Sequence, residues 1–245
     1  MEKYNERIDF MRLDKFLSDM GIASRREISL LAKRGIISVN GTVIKDASTH
    51  IDEKSRVVVG DREVVWRRYV YVMLNKPEGY VSATEDSSLP VVTELLSREL
   101  KKMELFPVGR LDRDTVGLMI LTNNGQLAHS VLSPKHHVEK VYRFTAAEPL
   151  KIGAEELFRE GVTLADGYEC KSAVLTLDEG RTSGKIVLTE GKYHQIKRMI
   201  ASTNNRVTSL ERIAFGGIEL DGSLERGEWR YLTADEISLL ENAKN

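Results

Sequence analysis

Cysteine is almost absent from these 245 residues: Cys170 stands alone. An internal disulfide is excluded, and such thiol usage fits a reducing compartment, so a cytoplasmic protein is expected. The thiol itself reads as a small buried hydrophobe. No apolar run is long enough to cross a bilayer, and no membrane partner is expected. The N-terminal stretch MEKYNERIDFMRLDKF mixes acids and bases without an apolar h-region, so no secretory signal is expected either. A strong charge of one sign is missing too. The net charge is −1, which argues against a uniformly basic nucleic-acid binder. Also missing are a phosphate-cradling glycine loop, a dinucleotide fingerprint and a metal-spaced Cys/His set. Neither cofactor nor metal is expected. His136 and His137 are neighbours, and adjacent strand residues face opposite ways, so they make a poor ligand pair. They read as polar residues at the start of a strand. His129 and His50 suggest no function.

What is present supports a packed protein: 41% of residues are hydrophobic and 30% charged. The length accommodates one large domain, or a small one and a medium one. Charge is unevenly spread. The first 68 residues hold 14 basic and 11 acidic side chains, the rest 22 and 26, and residues 11–45 hold 7 and 3. A basic head on a mildly acidic body suggests a localised contact with a polyanion.

The head predicts two helices and a hairpin. In RLDKFLSDM, Leu13, Phe16, Leu17 and Met20 share a helical face, and Gly21 ends it. Ser24 and Glu27 have the spacing of a capping box, opening a helix that runs to Gly35. IISVNGTVIK alternates about Asn40-Gly41, the chemistry of a type I′ hairpin. Arg56–Val59 predicts another strand, and GDREVVWRRY, Gly60 to Tyr69, a strand end plus connector. The expected division is an extension over 1–10, a head over 11–60, a linker over 61–68 and a body over 69–245. About 60 residues is near the lower limit for an independent core. In the body, strands are expected at Val70–Leu74, Gly117–Leu121, Val138–Phe144, Ala173–Leu177 and Lys185–Leu188. Helices are expected at Val91–Leu100, Gln126–Leu132, Glu155–Glu160, His194–Ser202 and Ala234–Ala243, the last capped by Thr233 with Glu236. This interleaving predicts an α+β body with a mixed, mostly antiparallel sheet flanked by helices.

Three stretches could carry chemistry. GRLDRDTVGLMILTNNG, Gly109 to Gly125, packs Arg110, Asp112, Arg113 and Asp114 against an apolar run. Local sequence alone favours a salt-bridged turn leading into a buried strand. The functional reading is a carboxylate kept ionised by neighbouring cations at the mouth of a cleft, as nucleophile or base. SPKHHVEKVYRF, Ser133 to Phe144, clusters bases about a strand. It reads as a solvated face, or as phosphate contact by Lys135, His136 and Lys140 with Tyr142 stacking on a base. In TEGKYHQIKRMIAS, Thr189 to Ser202, a helix carries Lys197 and Arg198 beside an apolar side of Ile196, Met199 and Ile200. Both cations are solvated, or one turns toward a buried carboxylate.

Taken together and in this order, the stretches resemble the RsuA-type pseudouridine synthases, the branch that includes RluB, RluE and RluF. GRLDRDTVGLMILTNNG looks like that family's GRLDxDTxGLLLLTNDG. SPKHHVEKVY and EGKYHQIKRM resemble its second and third motifs, and FGGIEL its closing IGGIxL-type strand. MRLDKFLSDMGIASRREISLLAKRGIISVNG is similar to the S4 RNA-binding module that precedes the catalytic domain. The resemblance covers the chain beyond residues 1–10. Asn124 stands where an acid is common, and Ile196 where valine is usual; Ile28-Ser29 replaces a more frequent Ala-Glu.

The resemblance implies an isomerase that breaks the N1–C1′ bond of a uridine, turns the uracil and joins C5 to C1′, with no cofactor. It implies that Asp112 is the catalytic aspartate, that Lys197 pairs with it, and that Tyr142 packs on the flipped base. Arg110 would hold the displaced backbone or fill the space left by the extruded nucleotide, with Arg198 a further RNA contact. Asp114 is assigned to structure, as partner for loop amides or an arginine. Arg12, Lys15, Arg25, Arg26, Lys33 and Arg34 would grip RNA from the head. The implied partner is ribosomal RNA, by the likeness of HHVEKVY and EGKYHQIKRM the 16S molecule, or a pre-ribosomal small-subunit particle, met by a monomer. Two other readings stay open. One is a catalytically silent S4-type RNA-binding or assembly factor; the other is a metal-dependent phosphoesterase using Asp112 and Asp114.

Overall fold

A computed structural model describes residues 10–65 and 69–243. Of the expected extension only Phe10 falls inside these bounds, and residues 66–68 of the expected linker lie outside them. Contacts sort the chain into two units. One runs through Tyr69 and takes in Ser97–Glu104; the other comprises Val70–Leu96 and Leu105–Asn245.

In the first unit, β1 (Met11–Arg12) leads into α1 (Leu13–Asp19) and α2 (Arg25–Lys33). Leu13, Phe16 and Leu17 are buried, as the helical spacing requires, and pack with Ile28, Ala32 and Ile37. Each of the leucine, isoleucine and phenylalanine side chains contributes about 2 kcal/mol of apolar burial. The Ser24–Glu27 capping box is formed in both directions. β2 (Ile37–Val39) and β3 (Thr42–Val43) pair antiparallel across Asn40 and Gly41, both at positive φ (52° and 79°), as a type I′ turn demands. β4 (His50–Ile51) pairs with β1. The expected strand at Arg56–Val59 is β5 (Val57–Val59). The segment expected as strand end and connector holds a further strand, β6 (Arg62–Val64), hairpinned onto β5. Val64, buried against the core, gives it a reason to pair.

The second unit is built on one sheet, ordered β11 (Val174–Leu177), β12 (Ser183–Leu188), β10 (Lys140–Ala146), β13 (Val207–Phe215), β9 (Val116–Thr122), β7 (Tyr71–Lys76) and β15 (Trp229–Tyr231). The short strands β8 (Phe106–Pro107) and β14 (Ile218–Glu219) pair with β9 and β13. The pairing of β13 with β9 is parallel and the others are antiparallel, so the sheet is mixed and mostly antiparallel. Leu118 to Leu121 are all fully buried, which is why this strand reads as a continuous apolar run. At Gly117, φ is +100° and a Cβ would lie 2.3 Å from the Arg212 carbonyl oxygen, so only glycine lets β9 meet β13.

Helices α4 (Gly125–Leu132), α5 (Ala154–Glu160), α6 (Gln195–Ala201) and α7 (Ala234–Asn242) form at the expected places, the last with its Thr233–Glu236 box. The single helix expected over Val91–Leu100 is corrected. A 3-10 turn at Val92–Leu95 is followed by extended Leu96 and Ser97, then by α3 (Arg98–Lys101), which belongs to the first unit. The Ser97 side chain accepts from the Leu100 amide and restarts the chain as a new helix. His136 and His137 fall not at a strand start but in the turn after α4, where His137 takes a φ of 50°. No helix among the described residues is long and apolar enough to cross a membrane.

Candidate active site

The loop between β8 and β9 is fastened before it is functional. Leu111 N donates to Ser82 Oγ at 2.9 Å, and Ser82 Oγ donates back to Leu111 O at 2.8 Å. The Thr115 amide donates to Asp112 O at 3.1 Å, closing a turn. At the end of β7, Lys76 is fully buried, and its Nζ reaches the carbonyl oxygens of Pro77, Asp112, Arg113 and Thr115 at 2.8 to 3.2 Å. Burial pushes this ammonium down to about 8 against the pull of Asp114 and Asp112. A charged donor sunk beneath four carbonyls fixes the loop backbone from below.

From that turn both aspartates reach one cation. Lys197 Nζ lies 3.1 Å from Asp112 Oδ2 and 2.5 Å from Asp114 Oδ1. Asp114, expected to serve loop amides or an arginine, keeps a backbone amide interaction, but its cationic partner is Lys197 and not an arginine. Burial lowers and the two carboxylates raise the Lys197 pKa, and the carboxylates prevail. Burial would raise Asp114, but the Lys197 hydrogen bond and charge hold it below its ordinary value. His194 Nε2 stands 3.5 Å from Asp112 Oδ1. His194 caps α6 in a left-handed conformation (φ 50°), three residues ahead of Lys197, and its ring stacks on Tyr193 at 3.8 Å.

A cavity of about 600 Å³ opens here, within the range of small-molecule sites. Asp112, Arg110, Tyr142, Lys140, His194 and Arg212 are among the residues lining it. Asp112 lines it and Asp114 does not; their side chains are 27% and 61% exposed. Tyr142 is buried on β10 and lines the cavity, and the pairing of β10 with β13 shifts register beside it. Glu190, also in the lining, accepts from Tyr168 OH, the Lys171 amide and Gln195 Nε2 at 2.8, 2.9 and 2.6 Å.

The remaining expected RNA contacts divide. Arg110, Lys135 and His136 are exposed, Arg110 at the cavity. Lys140 is not on a solvated face: its Nζ donates to Val138 O at 2.7 Å. Arg198 is held by Asp166 at 2.5 Å. In the first unit Arg12 and Arg25 both bind Asp14, at 2.8 and 3.0 Å, while Lys15, Arg26, Lys33 and Arg34 are exposed. Among the described residues no group of three or more His, Cys, Asp or Glu is placed to hold a metal. Lys76, His194 and Arg212 belong to no site that the sequence alone predicts. Only His194 carries a signal there, its i to i+3 spacing from Lys197.

The chain matches RNA pseudouridylate synthase over residues 70–202 and the S4 domain over residues 11–57. The chain belongs to the RNA pseudouridine synthase family. The uncharacterized RNA pseudouridine synthase YtzG of Bacillus subtilis is 42% identical, covering 94% of this chain and 98% of its own. The ribosomal small subunit pseudouridine synthase A of Vibrio vulnificus is 41% identical over 93% and 98%. A pseudouridylate synthase crystal structure superposes with a TM-score of 0.67 at 35% identity, covering 94% of this chain and 99% of that one. As an RNA pseudouridine synthase with an S4 domain, the chain is an isomerase that acts on RNA.

Proposed function

We propose that this enzyme converts one uridine of 16S ribosomal RNA, free or in a pre-ribosomal small-subunit particle, to pseudouridine, acting as a cytoplasmic monomer with Asp112 as its catalytic carboxylate. One observation carries the site assignment: of the two carboxylates bound to Lys197, Asp112 is the one that lines the cavity shared with Tyr142. The target uridine leaves its stack and enters that cavity, which costs roughly a few kcal/mol in paired RNA. Asp112 then forms a bond to C1′ or takes the 2′ proton, and Lys197 orients it for either. Tyr142 supports the ring as it turns, and Arg110, exposed at the rim, contacts the backbone beside the everted nucleotide. Lys15, Arg26, Lys33 and Arg34 grip RNA elsewhere and offset the cost of eversion. Support for the ribosomal target comes from the relatives named as small-subunit synthases. The test is to map pseudouridines in ribosomal RNA of a deletion strain and to follow tritium release from C5 of a labelled transcript. One missing 16S pseudouridine, restored by the wild-type chain and not by Asp112→Asn, is expected. RNA binding without tritium release would favour a silent factor, and loss of release on chelation a metal-dependent enzyme.

A further inference from the structure

Two cations that line the cavity, Lys140 and Arg212, have no carboxylate within ion-pair distance among the described residues. Arg212 is 2% exposed; its Nε donates to Leu118 O at 2.8 Å and its guanidinium covers the Phe215 ring at 5.3 Å. Lys140 Nζ has the Val138 carbonyl and, at 5.7 Å, the same ring. Among the described residues neither makes an ion pair with a carboxylate. Burial pushes the Lys140 ammonium down to about 8, helped by the Arg212 charge and opposed by Glu190, which is itself occupied by three donors. Burying cations without a counter-charge is unfavourable, and such groups gather where a ligand supplies the missing charge.

Their placement says which part of the ligand. Lys140 and Tyr142 are two apart on β10, so they share a face of the sheet. Arg212 stands directly across from Tyr142 on β13. The two charges thus share a face with the aromatic ring assigned to the base, against the apolar bed of the Phe215 ring. A flat, delocalised anion suits that bed better than a hydrated phosphate.

We propose that Lys140 and Arg212 stabilise the negative charge of the uracil ring while it is detached from the ribose. This rests on the isomerisation proposed above. Breaking N1–C1′ sends the bonding pair to the ring, which carries one negative charge spread over N1, O2 and O4. C1′ is relieved by a bond from the Asp112 carboxylate or by loss of the 2′ proton to it. When C5 attacks C1′, the ring's electrons form the new bond, and the carboxylate departs or returns its proton. The C5 proton then leaves to a base and N1 gains one. No oxidant or reductant takes part.

The test compares Lys140→Met with wild type in single turnovers on two transcripts, carrying either uridine or 5-fluorouridine at the mapped position. Fluorine makes the ring a better leaving anion, and cleavage is read by chromatography of the digested RNA. Lys140→Met should slow the uridine reaction by about a hundredfold, the scale of losing one buried stabilising donor. RNA affinity should stay within about twofold, and on 5-fluorouridine the deficit should shrink to a third or less. Equal slowing on both transcripts, or a fall in affinity that matches the fall in rate, would overturn the assignment, the latter marking a phosphate contact. Arg212→Lys, which keeps the charge but alters its reach, carries the same comparison should Lys140→Met not fold. Absence of isomerisation by the wild type would instead remove the proposed activity itself.

Discussion

Lys197 Nζ sits 3.1 Å from Asp112 Oδ2, although the two residues come from a loop and a helix 85 positions apart. The ammonium fixes one oxygen, and His194 approaches the other at 3.5 Å, so the carboxylate is aimed rather than merely present. Asp112→Asn keeps the size and shape of the side chain and removes its capacity as nucleophile or base. Tritium release should fall by about 10³-fold or more, with RNA affinity nearly unchanged. Parallel loss of release and affinity in a filter-binding assay would make Asp112 a structural residue.

Asp114 shares the same lysine but faces solvent, with 61% of its side chain exposed. Its ion pair adds little to stability, and it does not line the cavity. Asp114→Asn should lower kcat by less than about tenfold, whereas Lys197→Met should lower it about 10² to 10³-fold, since the latter leaves Asp112 unheld. A defect in Asp114→Asn as deep as that of Asp112→Asn would mean that the roles have been assigned to the wrong aspartate.

Beneath the loop, Lys76 brings three protons to four carbonyl oxygens. Lys76→Met fills a similar volume and satisfies none of them. Unfolding free energy should drop by about 3 kcal/mol or more, and activity should fall with it, because the turn that carries Asp112 loses its anchor. A variant with wild-type stability would refute the clamp.

Much of this was legible in the sequence, and the gaps have physical causes. The capping boxes at Ser24 and Thr233 and the Asn40-Gly41 turn are local chemistry, readable without tertiary context. Asp112, Tyr142 and Lys197 were reached through their motifs, and the fold brings them to one place. β13, among the central strands, passed unnoticed because Glu211 and Arg212 interrupt its apolar alternation. Arg212 is buried only because Gly117 lets β9 come against it, a relation between positions 95 apart. Lys76 looks like an ordinary strand-end lysine until the loop that it supports is seen. The helix expected through Val91–Leu100 failed at Ser97, whose hydroxyl acts as a cap instead of continuing the spiral.

In the first unit Asp14 is buried and accepts from both Arg12 and Arg25. The Arg12 hydrogen bond, working against burial and joined by Arg25, brings its carboxyl down to about 2 from an ordinary 3.8. A carboxylate with a lowered folded pKa stabilises the fold above its unfolded pKa and loses that contribution as pH falls through the folded one. The stability lost on Asp14→Asn should therefore be constant near neutral pH, at about 1 to 2 kcal/mol. It should shrink between pH 3.8 and pH 2, where the native side chain itself takes up a proton. Urea unfolding of both proteins across that range measures the difference, and groups common to the two cancel. A difference that persists at pH 2 would show that Asp14 acts by packing and not by its charge. The result bears on RNA binding too: with Asp14 gone, Arg12 and Arg25 lose their shared partner, and affinity for RNA should hold or rise even as the head becomes less stable.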